Sequence, residues 1–214
     1  MSADLQICFV VDYHDIMSTL MVIIKNYIEL ITNKVKKQYP TKSIEIAFVG
    51  YGGYFCVPYT KVYEFTHEIE KLQKKLCNFE VEHMLPSSCR NIQQAYGLVN
   101  ALRWNGKRRL MFHFGNGPPF GPNYHTLDIP DLYPQGHPYL VFEEEIKKIS
   151  MKKIDIVLLK LDQNWDVMIG VIKNVCCNNR VYVEDFTNKY LILCDAVHET
   201  IEKHILRQFA QSTS

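Results

Sequence analysis

The chain holds 214 residues, 24 basic against 23 acidic for a net charge of +1, with 47% hydrophobic and 22% charged side chains. That length fits a single domain over 1–214 and leaves little room for a second independent core. The near-neutral balance speaks against nucleic acid or an anionic membrane as the main partner, because neutralising phosphates needs surplus Lys and Arg.

Strands and helices alternate from end to end, which predicts an α/β fold: a Rossmann-like, doubly wound, mostly parallel six-stranded sheet with helices on both faces. Leu5 to Asp12 is a near-continuous apolar run, as a central parallel strand requires, and should bury Phe9 and Val11. A helix over Asp15 to Gln38 is apolar almost all round at first, then narrows to Tyr27, Ile28, Ile31 and Val35. Ser43 to Val49 forms the second strand and runs into Gly50-Tyr51-Gly52-Gly53. Lys61 to Phe65 reads as a short edge strand, and Thr66 as the cap of a helix over His67 to Leu76. Phe79 to His83 is extended, Arg90 to Trp104 helical, and Arg109 to Phe114 a third strong strand. The stretch from Gly115 to Pro138 is a long loop rich in Pro, Gly, Asn and Tyr, of a length that is usually functional. A helix over Leu140 to Ile149, a strand over Ile154 to Leu161, a helix over Trp165 to Val175, a strand at Val181 to Val183 and a closing helix over Tyr190 to Phe209 complete the pattern. Ile46, Phe48, Met111, Phe112, Val157 and Leu159 should join the core.

The seven cysteines follow no regular spacing and include no CxxC, so they predict thiols in a reducing, cytoplasmic compartment rather than a disulfide framework. Met1-Ser2-Ala3-Asp4 lacks the basic region of a signal peptide. The greasiest stretch, Ile16 to Ile31, is interrupted by Ser18, Thr19, Lys25, Asn26 and Glu29 and falls short of a bilayer span.

In an open α/β sheet ligands bind beyond the carboxyl ends of the strands, here at Asp12-Tyr13-His14-Asp15, Gly50 to Gly53 and Gly115-Asn116-Gly117-Pro118. An apolar strand that ends in Asp12 at the mouth of a long helix resembles the von Willebrand factor A domains. Within that family the chain is most similar to the A domains that accompany α-kinases. Where those domains carry a strand followed by Ala-Asp-Ala-Pro, a His-Gly pair, a Tyr-His and a Tyr-Pro-x-Gly-x-Pro loop, this chain offers Phe112 to Pro119, then Gly121, Tyr124-His125 and Tyr133-Pro134-Gln135-Gly136-His137-Pro138, and Asp185-Phe186-Thr187 is similar too. The resemblance implies a metal-ion-dependent adhesion site at Asp12, His14, Ile16, Ser87 and Asn116. That site is degenerate: Ile16 cannot ligate, His14 replaces a hydroxyl, and Asn116 stands where the family has Asp. One carboxylate with neutral donors holds Mg²⁺ weakly at best, so the expectation is no cofactor and no tightly held metal. Asp15 reads as a helix N-cap rather than a substitute ligand.

These readings predict a protein–protein interaction module or structural scaffold, a non-enzyme within a larger complex. Its docking residues would be Tyr13, His14, Tyr51, Tyr54, Phe55, Phe120, Tyr124, His125 and Tyr133, aromatics being common interface anchors. Two rivals stand beside this. One is a divalent-metal-dependent ligand-binding domain or hydrolase built on Asp12 and His14, with Cys89 near if the loops converge. The eight histidines form no HxH, HxxxH or HExxH set, so zinc finds little support in the spacing. The other is an RNA-binding module stacking bases on the loop aromatics. Lys107-Arg108-Arg109 reads as a solvated strand edge.

Overall fold

The computed structural model describes residues 2–13, 28, 33–52, 60–77, 89–126, 128–131, 133–176, 180–187 and 193–210. Its framework is one six-stranded sheet in the order β3-β2-β1-β4-β5-β6. The strands are β1 (Leu5–Asp12), β2 (Ile44–Tyr51), β3 (Thr60–Thr66), β4 (Arg108–Gly115), β5 (Asp155–Lys160) and β6 (Val181–Asp185). Five run parallel, and β3 alone pairs antiparallel, against β2. The two kinds of strand differ in sequence as they do in burial. β1 is fully buried, as its unbroken apolar run requires, whereas β3 carries Lys61 and Glu64 on a half-buried edge.

Helices cover both faces. They are α1 (Ile69–Cys77), α2 (Ile92–Ala101), α3 (Phe142–Met151), α4 (Asp166–Val175) and α5 (Leu193–Ala210), besides a helical stretch over 33–38. Alternate residues of β1 serve the two faces, as the two-residue period of a strand dictates. Leu5, Ile7, Phe9 and Val11 pack with Val35, Leu72 of α1, and Ile201 and Ile205 of α5. Cys8 and Val10 pack with Tyr96 and Val99 of α2, Ile146 of α3 and Ile172 of α4. The expected core residues Phe9, Val11, Ile46, Phe48, Met111, Phe112, Val157 and Leu159 are all buried. No helix among the described residues is long and apolar enough to cross a membrane.

Several boundaries move. The helix expected from His67 starts at Ile69, and the Thr66 hydroxyl accepts the Glu68 N–H just ahead of it. The one expected from Arg90 starts at Ile92, because Asn91 caps it: its Oδ1 accepts the Gln94 N–H while its amide donates to Gln94 Oε1. Trp165 belongs to a 3₁₀ turn, Gln163–Trp165, rather than to α4. The extended piece at 79–83 and residues 15–32 of the helix expected over 15–38, Ile28 apart, lie outside the described residues.

Beneath the sheet's carboxyl end sits a polar link inside the core. His113 of β4 is fully buried between two tyrosines, with Nε2 2.7 Å from the Tyr51 hydroxyl and Nδ1 3.0 Å from that of Tyr96. A neutral imidazole satisfies both, accepting at one nitrogen and donating at the other. Burial pulls its pKa from 6.5 down to about 3. An unfolded chain takes up that proton near pH 6.5 while the native chain does not, so the stability present above 6.5 is lost as pH falls toward about 3. His113→Phe should therefore flatten the fall of the urea midpoint between pH 7 and 4, even though it lowers stability at pH 7. An unchanged slope would place the acid sensitivity elsewhere.

Candidate functional site

Strand order reverses between β1 and β4, and in a doubly wound sheet the crevice beyond that reversal is where ligands bind. Asp12 ends β1 there, wholly buried, and Gly115-Asn116 leaves β4 beside it. Gly115 is required by packing. A Cβ on it would lie 2.6 Å from Cζ2 of Trp165 and 2.6 Å from the Tyr51 hydroxyl oxygen. The Trp165 indole N–H in turn donates to the Gly117 carbonyl at 2.8 Å and fixes the exit of β4.

The residue that meets Asp12 is Arg90, placed one position before the cap of α2. Its Nε donates to Asp12 Oδ2 at 2.9 Å, its Nη1 to the Cys89 carbonyl at 3.3 Å, and its Nη2 makes a long contact of 3.5 Å to Asn116 Oδ1. The Arg90 and Asp12 side chains are 5% and 0% exposed, so the pair is a buried salt bridge. Backbone bonds hold the arginine in place, from Arg90 N–H to the Pro118 carbonyl (2.8 Å) and from Asn91 N–H to that of Gly52 (3.1 Å). Burial, followed by the Asp12 carboxylate, pushes the Tyr51 hydroxyl well above the usual tyrosine range, with Arg90 opposing.

Of the described donors, the Asp12 carboxylate accepts from a guanidinium and Asn116 faces the same guanidinium, so an ion between these two would meet a positive charge. His14, Ile16 and Ser87, the other positions of the implied metal site, lie outside the described residues, as does Asp15. Sequence reasoning sought a ligand at Ser87 and passed over Arg90.

Five of the expected docking residues need correction. Tyr13, Tyr51, Phe120, Tyr124 and His125 are 2%, 0%, 1%, 8% and 7% exposed, so their side chains pack inside the chain. For Tyr51 and Tyr124 the cause is apolar ring area together with a polar tip that finds an internal partner. Tyr124 donates to Glu143 Oε2 at 2.6 Å, and Tyr51 reaches His113. Tyr133 is half-buried and packs edge-on against Phe120 with ring centres 5.1 Å apart. Tyr54 and Phe55 lie outside the described residues. Among the described residues, Tyr139 and Val141 are apolar side chains near this rim that the sequence reading missed, 87% and 59% exposed. The N–H groups of Tyr139 and Leu140 both donate to His137 Nδ1, which holds this stretch in place.

Cys89 is brought beside His125 and Asp131 of the long loop. Burial first, then the Asp131 carboxylate, push the thiol up to about 12 against the pull of Arg90, so it is no thiolate nucleophile as it stands. At the opposite end of the sheet, Lys107, Arg108, Arg109, Lys153, Arg180 and Arg207 line a hollow of about 590 Å³. The basic triplet read as a strand edge is thus joined by cations from three other segments. Asp185-Phe186-Thr187 forms a turn at the end of β6, in which Asp185 Oδ1 accepts the Thr187 N–H at 2.9 Å.

No family model matches the sequence, and no curated protein matches it. Solved structures do match. The pilus adhesin SpaC from Lactobacillus rhamnosus GG, in its open conformation, aligns over 96% of this chain with TM-score 0.60 and 13% identity. The SpRpn10 VWA domain aligns over 90% of this chain and 93% of its own, with TM-score 0.55 and 12% identity. Proximal thread matrix protein 1 from the mussel byssus aligns over 93% of this chain and 46% of its own, with TM-score 0.57 and 10% identity. This chain spans only 30% of the adhesin's length.

Removing one partner of a buried ion pair strands the other charge, at a cost of about 3–5 kcal/mol. Arg90→Met should therefore destabilise the chain by that order in urea unfolding, while Asp12→Asn combined with Arg90→Met recovers part of the loss. A loss below about 1 kcal/mol for Arg90→Met would mean that the pair is not formed in solution.

Proposed function

We propose, from the von Willebrand factor A fold that these likenesses show, that the chain is a non-catalytic protein-interaction module. It serves as a structural subunit of a larger assembly and docks through the carboxyl-end rim with no cation at Asp12. The buried Asp12–Arg90 pair carries this reading. A bound cation offers a partner's carboxylate an open coordination position, whereas a guanidinium spent on Asp12 and the Cys89 carbonyl does not. Docking then rests on apolar contact, for which Tyr139 and Val141 stand exposed on an ordered stretch of the same rim. Pre-ordering of that stretch lowers the entropy lost on association. Neighbours named as an adhesin and a matrix protein are in keeping with such a role. A reducing intracellular compartment belongs to the same proposal, in keeping with buried, unbridged thiols at Cys8, Cys89 and Cys176.

Two measurements test it. Titration with millimolar Mg²⁺ or Mn²⁺ should give no heat assignable to Asp12, meaning none that Asp12→Asn removes. A micromolar dissociation constant lost in that variant would overturn the metal-free reading. Tyr139→Ala should cut recovery of co-purifying proteins by about tenfold or more, the scale for a central interface aromatic. Its melting temperature should hardly move, because the ring is 87% exposed. Unchanged recovery would move the docking face off this rim.

A second reading, an RNA-binding module, is favoured by the basic hollow alone. Several of its cations are already engaged, Lys107 with Asp4, Arg180 with Asp155 and Arg207 over the Tyr182 ring. A gel shift with single-stranded RNA distinguishes the two. Phosphate-driven binding weakens steeply between 50 and 200 mM salt, and Arg108→Glu would remove it; no shift at 50 mM salt would end the second reading.

A further inference from the structure

Cys89 Sγ, the His125 ring and an Asp131 carboxylate oxygen present ligand atoms that all lie within 4.8 Å of one another. They come from the segment before α2 and from the long loop after β4, so the fold alone brings them together. We infer that these three residues form a zinc site which staples that loop to the start of α2.

The donor set selects the ion. A thiolate with an imidazole suits zinc and is shunned by Mg²⁺ and Ca²⁺, which take oxygen. Zinc bonds of about 2.0–2.3 Å in tetrahedral array set donors about 3.3–3.7 Å apart. His125 Nε2 and Asp131 Oδ2 already stand 3.1 Å apart, so the donors need shift by only an ångström or so to close round the ion. A thiolate and a carboxylate neutralise Zn²⁺ beside Phe120, Ile129 and Tyr133, and the Arg90 guanidinium, whose charge also reaches Cys89, is balanced by Asp12.

The surrounding bonds are those that a ligand set needs. His125 Nδ1 lies 2.8 Å from the Thr126 carbonyl, so it must carry the proton and donate there, which turns Nε2 toward the site. Nε2 then faces Asp131 Oδ2, an oxygen that only accepts when ionised. An ion between the two satisfies both. Asp131 is oriented in turn by the N–H of Gly121 on Oδ2 (2.7 Å) and that of Tyr133 on Oδ1 (2.8 Å). The His125 and Asp131 side chains are 4% and 6% exposed, and Cys89 is fully buried. A Cys-His-Asp catalytic relay does not fit, because such a relay takes the carboxylate on one ring nitrogen and the thiol on the other. Here one nitrogen is spent on the Thr126 carbonyl and Asp131 holds the other. On binding, the Cys89 proton leaves to solvent and a sulfur–zinc bond forms. The fourth position is left to water or to a further donor.

This inference goes beyond the docking role and stands whether or not the rim binds a protein. The test uses the full chain without a histidine tag, stripped with chelator and reloaded with Zn²⁺ or Co²⁺. The expected result is one zinc retained per chain after dialysis, a melting temperature that chelation lowers by several degrees, and a thiolate-to-cobalt charge-transfer band in the wild-type protein. Cys89→Ser should abolish the band, and Asp131→Asn should weaken zinc by about tenfold or more, while the control Cys176→Ser changes neither. If Cys89→Ser does not fold, the wild-type cobalt band and its competition by equimolar zinc decide alone. A reloaded chain that retains no zinc after dialysis, a melting temperature indifferent to chelator, or equal affinity in Asp131→Asn would reduce His125–Asp131 to an ordinary contact and overturn the site.

Discussion

A buried carboxylate at the end of the central strand has to be neutralised, and the choice of counter-charge shapes everything around it. Asp12 has no access to solvent, so leaving it unpaired would cost several kcal/mol. Arg90 supplies the charge from a planar, always protonated group whose donors reach three places at once. That reach ties the end of β1 to the start of α2 and to the first turn after β4. A metal ion would make the same connections but could exchange ligands. The guanidinium is held by the chain itself and cannot.

Beyond Arg90, the long segment from Asn116 to Val141 is held by several other contacts. Trp165 donates to the Gly117 carbonyl and Gln93 to that of Phe120, at 2.8 and 2.7 Å. Gly121 and Gly136 take positive φ, +107° and +83°, where a side chain would be strained. Gly136 N–H closes a turn on the Tyr133 carbonyl at 2.8 Å, within the Tyr-Pro-x-Gly-x-Pro stretch. Phe120, Ile129 and Cys89 make a small separate core beneath the loop, too little apolar area to fix such a length unaided. The polar clamps at Tyr124–Glu143 and His125–Asp131 make up the difference.

What could be read in advance follows from this division. The strands were legible because continuous burial leaves a continuous apolar record, as in Leu5–Asp12 and Asp155–Lys160. The half-polar β3 could be read as an edge for the opposite reason. The aromatics were not legible. Tyr51 sits in a glycine-rich stretch that looks like a loop, yet it is the last residue of β2, paired with Asp12 across the ladder. Tyr124 looks exposed among Pro and Gly until Glu143 is found against its hydroxyl. Arg90 was hidden because it read only as the first residue of a helix, and only the pairing of segments 78 positions apart reveals its partner. The cluster at Cys89, His125 and Asp131 has no motif spacing because its members converge through the fold, not along the chain.

The same rule recurs at every buried carboxylate among the described residues. Glu145 is met by Lys148 and Asn100, Asp155 by Arg180 and Gln208, and Asp12 by Arg90. Neighbours at 10–13% identity keep this architecture, because a doubly wound sheet asks only for apolar periodicity, which many sequences satisfy. Charge is less forgiving. A carboxylate inside the sheet's mouth can be balanced by an ion or by an arginine, and each answer commits the surface above it to a different kind of contact. Fold similarity therefore carries little information about binding in this architecture, and the identity of the group facing Asp12 carries a great deal.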